Sequence, residues 1–250
     1  MSLTFAHPAA VLPFSRESKY VNFLAMVLGS MSPDFEYFLR GMPYGTIGHT
    51  FTGFLVLNLP VVVIVYFIYK IWIHQSLYDH LPTILREKPP EKARSSSLLN
   101  VIIFLYSALF GMLTHVAWDS FTHLDGLMVR NLSFLTYTVD LFDRTIPVFK
   151  LLQHGGTIAG ILAILAYIYF RAATNTAEGG AKPRQKWIYW CLIAMLSTLF
   201  FSLWYLIDSL TFASFGIIVV RIIDSALISL LVVSIYFRRF VKEEHNAGEN

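Results

Sequence analysis

Charge is scarce in this chain. Asp, Glu, Lys and Arg make up 14% of its 250 residues, where a soluble domain carries roughly 25%. Cysteine is almost absent: Cys191 stands alone inside an apolar run, which excludes an intrachain disulfide and any thiolate zinc cage. A metal here would have to use His and carboxylate ligands. With 10 Pro and 14 Gly, the chain is neither collagenous nor disordered. A net charge of +3, scattered and without a basic, aromatic-interleaved helix, excludes a nucleic-acid partner. What fills the chain is apolar bulk: 56% hydrophobic and 16% aromatic residues, with a mean hydropathy of +0.58. Such a composition belongs in lipid.

A bilayer core of about 30 Å takes about 20 apolar residues per helix. Residues 51–73, 98–118, 155–170, 187–207 and 216–237 meet that requirement. The fold class is therefore all-α: a polytopic membrane bundle of about five spans, with short N-terminal helices packed at one face. We read one integral membrane domain over 1–250, divided into an N-terminal segment (1–50), the bundle (51–237) and a tail (238–250). The third span is short, and either begins before Gly155 or runs on through Arg171, whose long side chain can snorkel to the head groups. Trp72, Trp118, Trp187, Trp190 and Trp204 fall near span ends, as interfacial rings do. Pro60 predicts a bend in the first span. Residues 20–31 are apolar but too short to span, and residues 1–14 lack the basic start of a signal peptide. Twelve of the nineteen Lys and Arg, Lys92 and Arg94 among them, sort to one side. By the positive-inside rule this leaves the N-terminal segment on the non-cytoplasmic face. Residues 132–152 read as a segment lying in the interface, 175–186 as a flexible connection and 243–250 as a frayed tail.

The histidines carry the chemistry. His49 precedes the first span, His115 ends the second and His154 opens the third, so three span ends present an imidazole at one depth. His115 and Asp119, four apart on a helix, share a face at roughly 5–6 Å between Cβ atoms, close enough for one cation to bridge them. Set against a cation, a helix-end hydrogen bond is the simpler alternative for such a pair. His123, four residues further on, reads as a supporting or proton-transfer group. Ser32-Pro33-Asp34-Phe35-Glu36 places two carboxylates after an apolar helix, and Gly48-His49-Thr50 opens the first span. His7 lies in a segment too apolar to float free.

The order Phe5-Ala6-His7-Pro8, Gly29-Ser30-Met31-Ser32-Pro33-Asp34-Phe35, Gly48-His49-Thr50, His115-x-x-x-Asp119 and Gln153-His154-Gly155-Gly156 resembles domain-of-unknown-function family 4184. These are uncharacterised bacterial multi-span membrane proteins. More distantly it is similar to membrane-bound metal-dependent hydrolases and to the zinc-dependent phospholipase C type. The resemblance implies a di- or trinuclear-type site with His7, Asp34, His49, His115 and Asp119 as ligands for zinc or another divalent metal. It also implies a hydrolase in a bacterial inner membrane, meeting phosphoesters of membrane lipid or a lipid-linked substrate at head-group depth. His123, His154 and Glu36 are then candidates for general acid or ligand-orienting group, with His154 first because Gln153 and the glycines leave it accessible. Two rivals remain. Arg221 and Asp224, pairing with each other or with Asp208, suit a proton-coupled or small-solute transporter. A closed His cluster suits a structural protein whose helices it staples.

Overall fold

The computed structural model describes residues 3–14, 16–88, 97–141, 143–177, 179–208 and 214–248, the last ten of these through their backbone alone. Lys92 and Arg94 of the sidedness argument lie outside the described residues. The fold is helical, with five helices long and apolar enough to cross a membrane. In chain order, a 3-10 turn at Thr4–Val11 precedes α1 (Phe23–Met31), α2 (Phe35–Arg40), α3 (Phe51–His80), α4 (Ser97–Thr122) and α5 (Leu127–Asn131). A hairpin follows, β1 (Thr138–Leu141) with β2 (Arg144–Pro147), and then α6 (Val148–Thr174), α7 (Pro183–Asp208) and α8 (Phe215–Gly248). The spans are α3, α4, α6, α7 and the Phe215–Arg238 part of α8.

Two compact units divide the chain. The first comprises Met1–Glu36, Gly45–Val63 and Pro89–Phe170; the second comprises Tyr37–Tyr44, Ile64–Lys88 and Arg171–Asn250. In the first unit, α1 is the apolar stretch too short to span, and it lies against α4 at backbone distance. A Cβ at Gly29 would stand 2.2 Å from the Ala108 carbonyl oxygen, and one at Gly111 would stand 2.2 Å from that of Met26. Only glycine allows this approach, the small-residue packing that membrane helices use where no hydrophobic drive exists. Asn22 starts α1 by accepting from Ala25 N–H at 3.1 Å, while its own N–H donates to Ser107 Oγ on α4 at 3.0 Å.

The bend expected at Pro60 is a wider turn just ahead of it: over Phe54–Asn58 the helix closes with Leu59 N–H on the Phe54 carbonyl. The third span is α6, which begins at Val148, directly after Pro147, and continues beyond Gly155. Residues 132–152 are not a lone interfacial segment. Thr138 pairs with Pro147 and Leu141 with Arg144 in an antiparallel ribbon, over a small core of Val129, Leu135 and Phe149.

In the second unit, Tyr189, Ile193 and Val233 form the core of the α7–α8 pair. His80 stacks on Tyr189 at 4.3 Å, and Tyr189 shares a 2.8 Å hydrogen bond with Ser234. The 175–186 connection is tied down rather than loose. Lys88 N–H donates to Asn175 O at 2.8 Å, and Ala177 and Ala181 N–H donate to Arg86 O and Asp79 O, each at 3.0 Å. Arg171 is held by Glu87 at 2.8 and 2.5 Å instead of snorkelling. The tail read as frayed continues α8 to Gly248. Arg221 binds Asp208 at 2.6 Å and the Gly41 carbonyl at 3.3 Å, with its guanidinium over Trp204.

Gly111→Val forces α1 and α4 apart and costs about 1–3 kcal/mol or more, whereas Gly155→Val enters open space. A thermal melt of the detergent-solubilised protein is expected to fall by several degrees for the first variant and to stay near wild type for the second.

Candidate metal centre

Four separate pieces of the first unit deliver the polar groups. His7 comes from the Thr4–Val11 turn, and Asp34 from the Ser32–Asp34 turn that follows α1, where Pro33 supplies the fixed φ of a first position. His49 precedes α3, and His115 with Asp119 occupies the last turns of α4. Glu36 builds the approach to His49. One of its oxygens accepts the N–H groups of Thr46, Ile47 and Gly48 at 3.0, 2.9 and 2.9 Å. The loop closes against Asp34's own turn, since a Cβ at Gly48 would meet the Pro33 carbonyl oxygen at 2.2 Å. Buried Asn58 clamps the Gly48 carbonyl at 2.6 Å.

The five residues converge. His115 Nε2 stands 3.2 Å from Asp119 Oδ2 and 3.6 Å from Asp34 Oδ1. His49 Nε2 lies 3.4 Å from the same Asp119 oxygen and 3.5 Å from the same Asp34 oxygen. His7 Nε2 is 3.7 Å from Asp119 Oδ1, and its ring stacks on His115 with centroids 3.7 Å apart. Two triads, His7–Asp34–His115 and His49–His115–Asp119, each have ligand atoms within 4.8 Å of one another. His7, Asp34 and His115 are buried, at 4%, 3% and 0% exposure, while His49 leaves 33% of its side chain exposed and so marks the open side.

The remaining valences fix the orientation of each ligand. His115 Nδ1–H donates to the Ser30 carbonyl at 2.8 Å, which turns Nε2 towards Asp34 and Asp119. That atom is buried and makes no hydrogen bond among the described residues. Thr4 Oγ1–H donates to Asp34 Oδ2 at 2.7 Å, which leaves Asp34 Oδ1 turned inward. Burial first, then the neighbouring His115, pushes His7 down to about 3, so at neutral pH it is a lone-pair donor. Burial raises the Asp34 carboxyl above its ordinary value, against the pull of His115 and Thr4. Imidazole nitrogens and carboxylate oxygens facing inward are the donor set of a hard-to-borderline divalent cation.

The fit extends to distance. Ligand bonds of about 2.0–2.2 Å at tetrahedral angles separate ligand atoms by about 3.3–3.6 Å, and the inward pairs here span 3.2 to 3.6 Å. Charge-assisted hydrogen bonds would sit at about 2.7–2.9 Å.

The supporting residues expected from the sequence divide differently. Glu36 is buried at 3% exposure and accepts three amides, which positions the His49 loop. His154 is exposed on α6, because Gln153 one residue earlier, about 100° around the helix, takes the inward place. Gln153, 1% exposed, meets His123 Nε2 at 3.1 Å. His123 is half-buried, held below its ordinary value chiefly by burial, and its Nδ1 lies 3.4 Å from Asp119 Oδ1. It therefore stands beside Asp119 as a supporting group. Thr4, Lys150 and Gln153 were not singled out as site residues by the sequence reading; only the Gln153-His154 motif pointed near them.

Replacing Glu36 separates the two roles. Glu36→Ala frees three N–H groups and costs on the order of 3 kcal/mol, and Glu36→Gln costs part of that. Both are expected to lower the melting temperature and to open residues 46–48 to limited proteolysis. An unchanged melt with loss of activity would restore Glu36 as an acid.

No curated protein and no solved structure matches this chain, and the comparisons do not support the expected likeness to metal-dependent hydrolases. A family model described as Domain of unknown function (DUF4184) matches residues 1–235. That match takes in every residue of the centre, four of the spans and all but the last three residues of the fifth, and the chain belongs to the DUF4184 family.

Proposed function

We propose that this multi-span membrane protein is a metal-dependent hydrolase that cleaves a phosphoester of a lipid or lipid-linked substrate at head-group depth. The observation that carries the reading is His115 Nε2. Buried and turned to carboxylate oxygens at 3.2 and 3.6 Å, that nitrogen needs a proton or a cation between them, and a set of three imidazoles and two carboxylates suits the cation. A bound zinc ion supplies Lewis acidity and an activated water for attack at phosphorus. The chain's residues do the rest. His7, His49 and His115 offer imidazole nitrogen, Asp34 and Asp119 offset the charge, and the exposed edge of His49 gives a polar head group its entry. A cavity of about 240 Å³ beside His7, walled by Ala6, Ala9, Trp118, Gly156 and Gly160, has the apolar lining that suits the chain of an amphiphile.

The rivals gain less support. A structural staple closes its metal, whereas His49 keeps one side of this centre open. For transport, Arg221 is already committed to Asp208, the Gly41 carbonyl and the Trp204 face, a fixed set of partners instead of a path.

Elemental analysis of protein purified without chelator is expected to find a transition metal. Adding zinc to stripped protein at a hundred times its Kd is expected to stabilise it by about 2.7 kcal/mol. His115→Ala is expected to lose the metal, this stabilisation and the hydrolysis of a panel of phospholipids and lipid-linked phosphates. If a chelator leaves the wild-type melt unchanged, His115 holds a proton there instead of a metal.

The Lys and Arg distribution supports a centre on the non-cytoplasmic face of a bacterial inner membrane. Thr46→Cys on the His49 loop, in a Cys191→Ser background, is expected to react with a membrane-impermeant maleimide in spheroplasts. Labelling only after lysis would invert the topology.

A further inference from the structure

Lys150 and Gln153, near the start of α6, form a chain of donors and acceptors that ends on a ligand. Lys150 Nζ carries only protons to give, and it lies 2.9 Å from Gln153 Oε1. The amide oxygen is thereby assigned to Lys150, and the amide nitrogen to His123 Nε2 at 3.1 Å. The reverse placement would set an amide N–H against an ammonium inside a residue that is 1% exposed. Gln153 therefore donates, His123 Nε2 accepts, and the neutral ring must carry its proton on Nδ1. That proton faces Asp119 Oδ1 at 3.4 Å and Thr122 Oγ1 at 3.2 Å. Thr122 Oγ1 donates to the Trp118 carbonyl at 3.3 Å, which leaves its lone pairs towards His123. Helix geometry sets the spacing: Lys150 and Gln153 are three apart, neighbours on one face, and Thr157 Oγ1 pins the Gln153 carbonyl at 2.9 Å.

We propose that Lys150 and Gln153 are positioning residues that lock His123 as the Nδ1–H tautomer, so that the ring presents an N–H and not a lone pair to Thr122 Oγ1 and to Asp119 Oδ1, the oxygen His7 also faces, while Oδ2 lies towards His49 and His115. The tautomer follows from hydrogen bonding alone; its consequence for the cation rests on the metal reading above. Outer hydrogen bonds of this kind typically change metal affinity 10- to 100-fold.

Two-bond ¹⁵N–¹H correlation spectra of ¹⁵N-histidine-labelled, metal-free protein at mildly alkaline pH read the tautomer directly, with His123→Gln assigning the signal. Wild type is expected to show His123 protonated on Nδ1. Gln153→Glu puts an acceptor at Nε2 and is expected to switch the ring to Nε2–H and to weaken zinc binding by about 10- to 100-fold. Lys150→Met releases the amide and is expected to give a tautomer mixture with a smaller loss, and it keeps the test intact should Gln153→Glu fail to fold. An Nε2–H ring in wild type, or an unmoved tautomer in both variants, overturns the lock. A switched tautomer with unchanged zinc affinity overturns the link to Asp119. A switched tautomer in a protein that binds no zinc upholds the lock and overturns the metal reading instead.

Discussion

The hydrogen bond from His115 Nδ1 to the Ser30 carbonyl ties the packing of the first unit to its chemistry. Ser30 lies in the last turn of α1, where a carbonyl has no partner within the helix, and His115 lies one turn beyond Gly111 on α4. The glycine contacts that let α1 and α4 touch at backbone distance also bring that orphan carbonyl to the imidazole. The ring caps one helix and at the same time loses its freedom to flip. With Nδ1 spent, Nε2 can only look towards Asp34 and Asp119. Helix packing and ligand orientation are therefore one constraint, and loosening the first disturbs the second.

Each other group in the centre is oriented in the same way, by a partner on its far side. Thr4 takes one oxygen of Asp34, and Asn58 and Glu36 hold the Gly48 turn that carries His49. His123 stands behind Asp119. Two imidazole nitrogens and two carboxylate oxygens then face inward, with His7 stacked beside them.

Much of this was legible in the chain because helix periodicity is local information. The i, i+4 spacing of His115 and Asp119 put both on one face whatever the tertiary fold, and five apolar runs of spanning length could only be helices in lipid. Asp34 after Pro33 and His49 after Gly48 were legible as turns, and the structure shows why: Gly48 admits the Pro33 carbonyl. What the chain could not show was phase and long-range partnership. His154 and Gln153 differ by one residue, and which of them faces inward depends on the rotation of α6, set by packing. Glu36 read as an exposed acid because its three amide donors come from residues 46–48, ten or more positions away. The β1–β2 hairpin was hidden by its short, charged strands, with Asp143 at a φ of 59° in the turn where a glycine would have announced it.

The choice between a shared proton and a shared cation can be argued from the molecule's own ion pairs. Where charged partners contact each other directly in this chain, they close to 2.6 Å for Arg221 with Asp208 and 2.5 Å for Arg171 with Glu87. From His115 and His49 to Asp34 and Asp119 the nitrogen–oxygen separations are longer, 3.2 to 3.6 Å. A proton draws its two partners together and serves one pair at a time. A cation holds several ligands at its bond length and keeps every pair apart by a similar distance. Four nitrogen–oxygen separations of 3.2 to 3.6 Å, each longer than either of those ion pairs, suit a cluster that could hold a metal ion.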